Sequence, residues 1–407
     1  MPQVYYLLSE FLGDIVMRPL AFFQKTLLAG ALALTLPMMA QAQVKVGVTV
    51  SSTGPAASLG IPERNTVSLL PTEVAGQTVE YIVLDDATDT TQAVRNMRKL
   101  VSEDGVDVVI GTSVTPGSLA MLDVAEETGT PMISVAANAR IVEPVEGARL
   151  WAFKTPQNDE LMATALAETM QAQDIKTIAV IGFNDAYGDG WLEEMTKAAE
   201  NKGIDVVAAE RYNRNDTSVT GQILKILSTN PDGVLIAASG TPVALPQTEL
   251  VNRGYQGRIY QTHGAANSDV LRVCGSNCNG MILPAGPLLV ADQLEDEHPV
   301  KTSALEYKAL YEDKYGEGSI NTFGGHMWDA GLIVANAIPV ALESGATPGT
   351  AEFRHALREA IENTTDLAAS QGVFNITAED HSGLDERARV MVEVVDEAWT
   401  YRPDLAN

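Results

Sequence analysis

Three aspartates that follow a predicted strand are the residues of this chain whose types and spacing most resemble a catalytic centre. The segment "VLDDATDT" contains Asp85, Asp86 and Asp89, and such clustered carboxylates could hold Mg²⁺ for hydrolysis or phosphoryl transfer. A structural role suits them equally, because Asp89 or Thr90 is placed to cap the next helix and Asp86 to fix the turn. We favour capping and retain a metal-dependent hydrolase or phosphotransferase as the alternative from another functional class.

The other catalytic signatures are missing from the sequence. It has no Gly-x-Ser-x-Gly nucleophile elbow, no P-loop, and no Gly-x-Gly-x-x-Gly after the first predicted strand. The five histidines, none of them spaced as a metal pair, are His263, His298, His326, His355 and His381. Only His263 follows a predicted strand, and we expect it to be a hydrogen-bonded structural residue or a group that faces a ligand. We therefore predict no enzyme, no cofactor and no metal site.

Tyr187 lies where a strand is predicted to turn into a helix. It belongs to "FNDAYGDGW", which begins at the end of the apolar run "TIAVIGF". Its ring could cover a bound solute, or it could pack at the start of the helix. The sequence leaves both roles open.

The only two cysteines, Cys274 and Cys278, are close together in "RVCGSNCNG". In an oxidising compartment they could close a small disulfide loop. A metal pair is the competing interpretation, but no other cysteine or histidine completes a zinc-type spacing. We favour the disulfide.

Short β-branched segments alternate with segments of helical spacing along the chain after residue 43. A first series contains "VKVGVTV", "TVEYIVLDD", "DVVIGT" and "PMISVA", and a second contains "TIAVIGF", "IDVVAAE" and "DGVLIAAS". Strands that alternate with helices indicate βαβ units and a parallel sheet. The sequence therefore predicts an α/β fold with two doubly wound parallel-sheet lobes.

The loops that follow the predicted strands have the composition of a binding site. They are rich in Gly, Ser, Thr and Ala, and include "SSTGPAASLG", "GTSVTPGS", "SVAANARIVE", "ASGTPVALP" and "QTHGAANSD". In open parallel sheets ligands bind beyond the carboxyl ends of the strands. Small residues let backbone amides and hydroxyls approach a ligand, and helix N-termini favour a carboxylate. The loops therefore indicate binding rather than catalysis.

The N-terminal segment has the order of a secretory signal peptide. Arg18 and Lys25 precede the apolar run 26–36, and small residues at 40–42 follow it. The run has about half of the ~20 residues that a membrane-spanning helix needs, so we predict a leader cleaved before Gln43. A buried first helix is the alternative, and the poor fit of residues 1–16 favours Met17 as the natural start.

The net charge of the chain argues against some classes of binding partner. It has 27 basic and 53 acidic residues, and the formal net charge is −26. Such a charge argues against nucleic acid or an anionic membrane surface as a partner. About 365 residues remain after residue 42, which is enough for two or three domains. We expect an exported, periplasmic protein that is a monomer and binds a small-molecule solute.

Taken in order, the segments resemble one family over essentially the whole chain after the leader. They include "KVGVTVSSTGPAASLG", "YIVLDDATDTTQAVRNMRKLVSEDGVDVVIGTSVTPGSLAM", "PMISVAAN", "FKTPQND", "IGFNDAYGDGW", "ERYNRNDTSVTGQILKI", "DGVLIAASG" and "GVFNITAEDHSGLD". Their order is similar to that of the periplasmic solute-binding proteins of branched-chain amino acid ABC transporters, the leucine/isoleucine/valine-binding type. The resemblance implies a type I periplasmic binding fold, with two lobes joined by three crossover segments, hinge closure on a solute, and docking on an ABC permease at the inner membrane.

The resemblance also implies where a ligand binds. Its carboxylate is expected at Thr115, with Ser113 nearby, and at the loop Ala136, Ala137 and Asn138. The second lobe is expected to contribute an aromatic ring and two loops, represented here by Tyr187, Gly240, Thr241, His263 and Gly264.

Two departures from the family pattern concern the amino group of the ligand. The loop "YQTHGAANS" contains no acid to pair with an ammonium, and Leu59 stands where the family often has a tyrosine. An unpaired buried ammonium is costly, so either Asp185 supplies the missing charge or the solute has no amino group. We expect a branched-chain or related amino acid, with an aromatic or aliphatic carboxylic acid as the alternative.

The predicted lobes are discontinuous in sequence. Residues 43–154 and 285–370 are assigned to lobe 1, and residues 155–284 and 371–407 to lobe 2. The last of these segments is expected to supply C-terminal strands from "GVFNIT" and "ARVMVEVV".

Overall fold

The computed structural model describes residues 43–405. The predicted leader at residues 1–42 lies outside this range. Among the described residues, none of the helices is long and apolar enough to cross a membrane.

A parallel sheet forms the centre of lobe 1. Its strands are β1 (Val44–Val50), β2 (Glu73–Val74), β3 (Gln77–Asp85), β4 (Val108–Gly111), β5 (Met132–Ser134) and β6 (Ala152–Lys154). They lie in the order β2-β3-β1-β4-β5-β6, and only the β2–β3 pair is antiparallel. The helices that connect them are α1 (Ala57–Val67), α2 (Thr90–Ser102) and α3 (Thr115–Thr128). The central strands β1 and β4 are buried on both faces, as their apolar sequences predict.

Lobe 2 repeats this arrangement. Its first strands are β7 (Thr177–Phe183), β8 (Asp205–Tyr212), β9 (Gly233–Ala237), β10 (Arg258–Gln261) and β11 (Ile282–Ala285). Its helices are α4 (Asp159–Ala172), α5 (Ala186–Asn201), α6 (Thr220–Ser228), α7 (Ala244–Asn252) and α8 (Ser268–Cys274). A disulfide joins Cys274, at the end of α8, to Cys278.

After β11 the chain returns to lobe 1. There it forms α9 (Lys301–Tyr315), α10 (Thr322–Glu343) and α11 (Ala351–Glu362), followed by a small hairpin of β12 (Leu367–Ala368) and β13 (Val373–Phe374). It crosses again to lobe 2 to form β14 (Val390–Val395) and β15 (Ala398–Tyr401), which are antiparallel to their neighbours. The lobe 2 order is β15-β14-β11-β10-β9-β7-β8. The prediction of two parallel-dominated α/β lobes is confirmed.

One predicted boundary lies too early. The segment "GVFNIT" was expected to be a strand of lobe 2, but only Val373 and Phe374 are extended, and they pair within lobe 1. Phe374 and Ile376 pack in the same core as α10 and α11. A short apolar run shows that a segment is buried, and its periodicity does not say against which core. The crossing to the last two strands therefore comes after residue 376.

Candidate functional site

Loops at the carboxyl ends of the strands in both lobes, together with the helices α1 and α10, line a cavity. Its wall consists of Leu59, Ser113, Val114, Thr115, Val135, Ala136, Ala137, Pro156, Tyr187, Arg214, Ser239, His263, Gly264, Phe323 and His326. Eight of the twelve residues predicted as ligand-binding are in this wall. The remaining four, Asn138, Asp185, Gly240 and Thr241, lie elsewhere.

The lobe 1 wall presents hydrogen-bond donors at the start of a helix. Thr115 is the first residue of α3, and the N-terminal amides of a helix have no partner within it. The Thr115 hydroxyl is buried and has no hydrogen-bond partner within the described chain. The hydroxyl of the neighbouring Ser113 accepts the Ser51 N–H at 2.9 Å and contacts the buried Glu63 carboxyl group, whose pKa is raised by burial. This wall suits an anion, because helix N-termini favour negative charge.

A cation on lobe 2 also lines the cavity. Arg214 lies in the loop between β8 and α6, and its Nε donates to the Asp185 carboxylate at 2.8 Å. Its Nη1 donates to the Ser239 hydroxyl at 3.1 Å, and its guanidinium carbon lies 4.0 Å from the centre of the Phe183 ring. Three contacts therefore fix the orientation of the guanidinium group.

Two uncharged histidines complete the polar part of the wall. His263 and His326 are 6% and 3% exposed. Both ring nitrogens of His263 and the Nδ1 of His326 have no hydrogen-bond partner among residues 43–405. Burial, together with the nearby Lys154, lowers the pKa of His263 to about 3, and burial beside His263 lowers the pKa of His326 well below its ordinary value. Neutral imidazoles can each donate and accept a hydrogen bond.

The rest of the wall is apolar. Leu59, Val114 and Phe323 pack together with Ala56 in a small cluster. Tyr187 is 5% exposed, and its hydroxyl pairs with the Thr262 hydroxyl at 2.8 Å. It therefore lines the cavity and also packs at the start of α5, and contact of its ring with a solute stays a prediction.

No aspartate or glutamate of the described chain lies in the cavity wall. Asp185, the predicted source of a negative charge, instead caps α5 by accepting the N–H groups of Tyr187 and Gly188 at 2.9 and 3.3 Å. Its second carboxylate oxygen pairs with Arg214. Asp185 is not in the cavity wall, and both of its oxygens accept hydrogen bonds within the described chain. Of the two alternatives considered for the amino group, this arrangement favours a solute without one.

Asn138 and Thr241 connect the lobes instead of lining the cavity, whereas the Gly240 N–H donates within lobe 2, to the Gly264 carbonyl at 2.8 Å. The Asn138 side-chain amide donates to Asp159 at 3.2 Å and to the Ala186 carbonyl at 3.4 Å. The Thr241 N–H donates to the Ser58 hydroxyl at 3.2 Å. These hydrogen bonds run from one lobe to the other, so the residues contribute to closure.

The three aspartates of "VLDDATDT" have structural roles. Asp89 caps α2 by accepting the Gln92 N–H at 2.7 Å. Asp86 is buried and accepts hydrogen bonds from Ser51 and from Thr112. Within residues 43–405, no three acidic, histidine or cysteine side chains are grouped as a metal site requires.

Seven wall residues were not among the twelve predicted: Val114, Val135, Pro156, Arg214, Ser239, Phe323 and His326. Arg214 follows the carboxyl end of β8, and ligands bind beyond such strand ends in parallel sheets. A single arginine among polar residues, however, does not by itself indicate a ligand contact. Phe323 and His326 lie in the first turns of α10. Because these two residues are on a helix and not in a loop after a strand, the sequence did not indicate that they line the cavity. Only the packing of α10 against the cleft shows this.

Comparison with known proteins identifies relatives along nearly the whole described chain. A family model described as periplasmic binding protein matches residues 43–396. A leucine-, isoleucine-, valine-, threonine- and alanine-binding protein from Pseudomonas aeruginosa is 27% identical over 252 residues, which are 60% of this chain and 66% of that protein.

Solved structures agree with this result. The crystal structure of an extracellular ligand-binding receptor from Rhodopseudomonas palustris is 42% identical, covers 89% of this chain and 100% of the receptor, and has a TM-score of 0.86. A solute-binding protein from R. palustris in complex with benzoate is 19% identical, covers 88% of this chain and 95% of its own, and has a TM-score of 0.76. The second similarity concerns the fold alone.

Proposed function

Because the chain belongs to the periplasmic binding protein family, we propose that it binds a small carboxylate without an amino group between its lobes and delivers it to an ABC permease. Proteins of this family and the relatives above are binding proteins. The chain is therefore a solute-binding protein and not an enzyme. The identity of the solute and the permease belong to the proposal.

The observation that carries the proposal is the charge of the cavity wall. It contains Arg214, the unpartnered Thr115 hydroxyl and the amides at the start of α3, all of which stabilise a negative charge. Neutral His263 and His326 can add hydrogen bonds to an anion. A carboxylate would meet donors at this surface without an opposing acid from the described residues.

The same wall argues against an amino acid. A buried ammonium group needs a carboxylate or several acceptors, because leaving it unpaired is costly. Asp185 is engaged by Arg214 and by the backbone of α5, and the buried Glu63 is in its neutral form as long as its raised pKa lies above the ambient pH. The resemblance to leucine/isoleucine/valine-binding proteins favours a branched-chain amino acid. We give more weight to the wall, because it is formed by the residues that would contact the solute.

The proposed place of action is the periplasm. The relatives are periplasmic binding proteins, and the predicted leader would direct export. Closure of the two lobes on the solute would then present a surface to the permease.

Thermal unfolding with matched ligands tests the proposal. Leucine and 4-methylpentanoate differ only by the amino group, and benzoate adds an aromatic acid. A ligand at 100 times its Kd stabilises a protein by about 2.7 kcal/mol, so we expect benzoate or 4-methylpentanoate to raise the Tm while leucine does not. A shift with leucine, isoleucine or valine and none with the acids would show that the cleft binds amino acids.

A further inference from the structure

A carboxylate that binds to the lobe 1 side of the cavity would leave hydrogen-bonding groups on the lobe 2 side without a partner. Both ring nitrogens of His263, on lobe 2, have no partner among the described residues, and this side chain is more than nine-tenths buried. Arg214 uses two of its N–H groups for Asp185 and Ser239. Buried polar groups of native proteins are nearly always paired, so these groups indicate a second point of contact.

The two polar surfaces belong to different lobes. Thr115 and Ser113 are on lobe 1, whereas Arg214, Ser239 and His263 are on lobe 2. A solute held between closed lobes meets these surfaces from opposite sides. A carboxylate at Thr115 therefore leaves the lobe 2 groups to the other end of the molecule.

The polar side chains of lobe 2 determine which chemical group they can bind at the end of the solute opposite its carboxylate. Arg214 is always charged and only donates hydrogen bonds, and it cannot pair with an ammonium. His263 is neutral because burial, together with the nearby Lys154, disfavours its protonated form.

We propose that the solute carries a second hydrogen-bond acceptor, a hydroxyl, carbonyl or carboxylate oxygen, at the end opposite its carboxylate, and that Arg214 and His263 bind it. This inference rests on the acid-binding function proposed above. Asp185 and Phe183 act as positioning residues, because they hold the guanidinium group in place.

Calorimetric titration of the full mature chain with two ligand series tests the inference. One series is benzoate, 4-hydroxybenzoate and terephthalate, and the other is hexanoate, 6-hydroxyhexanoate and hexanedioate. In at least one series we expect a member with a second acceptor to bind at least tenfold more tightly than its parent acid. The hydroxyl and dicarboxylate members distinguish a neutral acceptor from an anionic one.

Variants connect this preference to lobe 2. Arg214→Met and, separately, His263→Phe should each reduce the advantage of the second acceptor to less than about threefold. Arg272→Met is the matched control, because the Arg272 side chain is 71% exposed and, among residues 43–405, its ion-pair partner is Asp269 on its own helix. The ligand preference of this control should equal that of the wild type.

Parent acids that bind as tightly as their two-ended counterparts would overturn the inference and leave the acid-binding function intact. An advantage that persists in both variants would also overturn it. If none of the six acids binds, or only amino acids bind, the proposed function fails and the inference fails with it.

Discussion

The Thr115 hydroxyl, at the first position of α3, is the side-chain donor of the lobe 1 wall for which the described chain provides no partner. If it donates to a ligand carboxylate, Thr115→Ala should weaken binding by about 1 to 3 kcal/mol. Thr115→Ser keeps the hydroxyl and is the matched control, which should bind nearly as well as the wild type. Titration calorimetry with the acid that stabilises the protein most measures both. Unchanged affinity in the alanine variant would remove Thr115 from the binding surface.

His263 should make the stability of the ligand-free protein sensitive to acid. Its pKa is lowered to about 3 by burial and by Lys154, while an unfolded histidine titrates near ~6.5. Below that pH the unfolded chain binds a proton that the folded chain does not, so stability is lost as the pH falls from about 6.5 towards 3. The loss amounts to about 2 kcal/mol at pH 5.

Urea unfolding of the wild type and of His263→Gln at pH 7 and pH 5 measures this contribution. The variant should lose less stability than the wild type over this interval, since glutamine does not titrate. Equal losses in the two proteins would show that His263 titrates normally in the fold.

The sequence predicted residues that line the cavity where backbone position places them there, and their contact with a ligand stays a prediction. Ser113, Thr115, Ala136 and Ala137 follow strand ends and all line the cavity. The sequence could not assign a role to Asp185, because its position is consistent both with a helix cap and with a ligand contact. Only the hydrogen bonds with Arg214 and with the α5 backbone distinguish the two roles.

The loop after β9 and the helix α1 meet across the cleft, and this contact should control closure. A Cβ at Gly240 would lie 2.5 Å from the Leu59 Cδ1 and 2.6 Å from the Ser58 Oγ. Gly240→Ala should therefore hold the lobes apart and weaken solute binding at least tenfold, which is about 1.4 kcal/mol.

Gly254 provides a control for the substitution at Gly240, because it has a positive φ but lies away from α1. Gly254 has a φ of +74°, close to the +65° of Gly240, but a Cβ there would meet nothing within 4 Å. Gly254→Ala also replaces a glycine of positive φ but creates no contact, so it should leave affinity unchanged. Equal affinities for the two variants in calorimetric titrations would show that the contact with α1 does not limit closure.

At the scale of elements, the alternation of strands and helices was sufficient to predict both sheets. The apolar runs of β1, β4, β7 and β9 are buried strands, as expected for central positions of parallel sheets. The assignment of "GVFNIT" failed because its neighbours in space, α10 and α11, are distant in sequence. Long-range packing of this kind leaves no periodic signal in the segment itself.

At the scale of the whole molecule, the two lobes contact one another through side chains that surround the cavity. Asn138 joins lobe 1 to α4 and α5, and Asn267 donates to the Ser58 carbonyl at 2.5 Å. If solute stabilises this arrangement, addition of a binding acid should reduce the radius of gyration measured by small-angle X-ray scattering. Gly240→Ala should show a smaller reduction at saturating acid, and a radius that does not change in the wild type would argue against hinge closure.

The charge of the cavity wall differs from the net charge of the molecule. The chain has a formal net charge of −26, yet no acidic residue of the described part lines the cavity. The cleft is therefore an exception to the overall charge, as a receptor for an anion requires.

A crystal structure of the protein with the acid that gives the largest thermal shift tests the central claim most directly. The account predicts that the acid lies between the lobes, with a carboxylate oxygen within hydrogen-bond distance of the Thr115 hydroxyl and no acidic side chain against the ligand. A ligand bound outside the cleft, or a bound amino acid whose ammonium contacts a carboxylate of the protein, would contradict it.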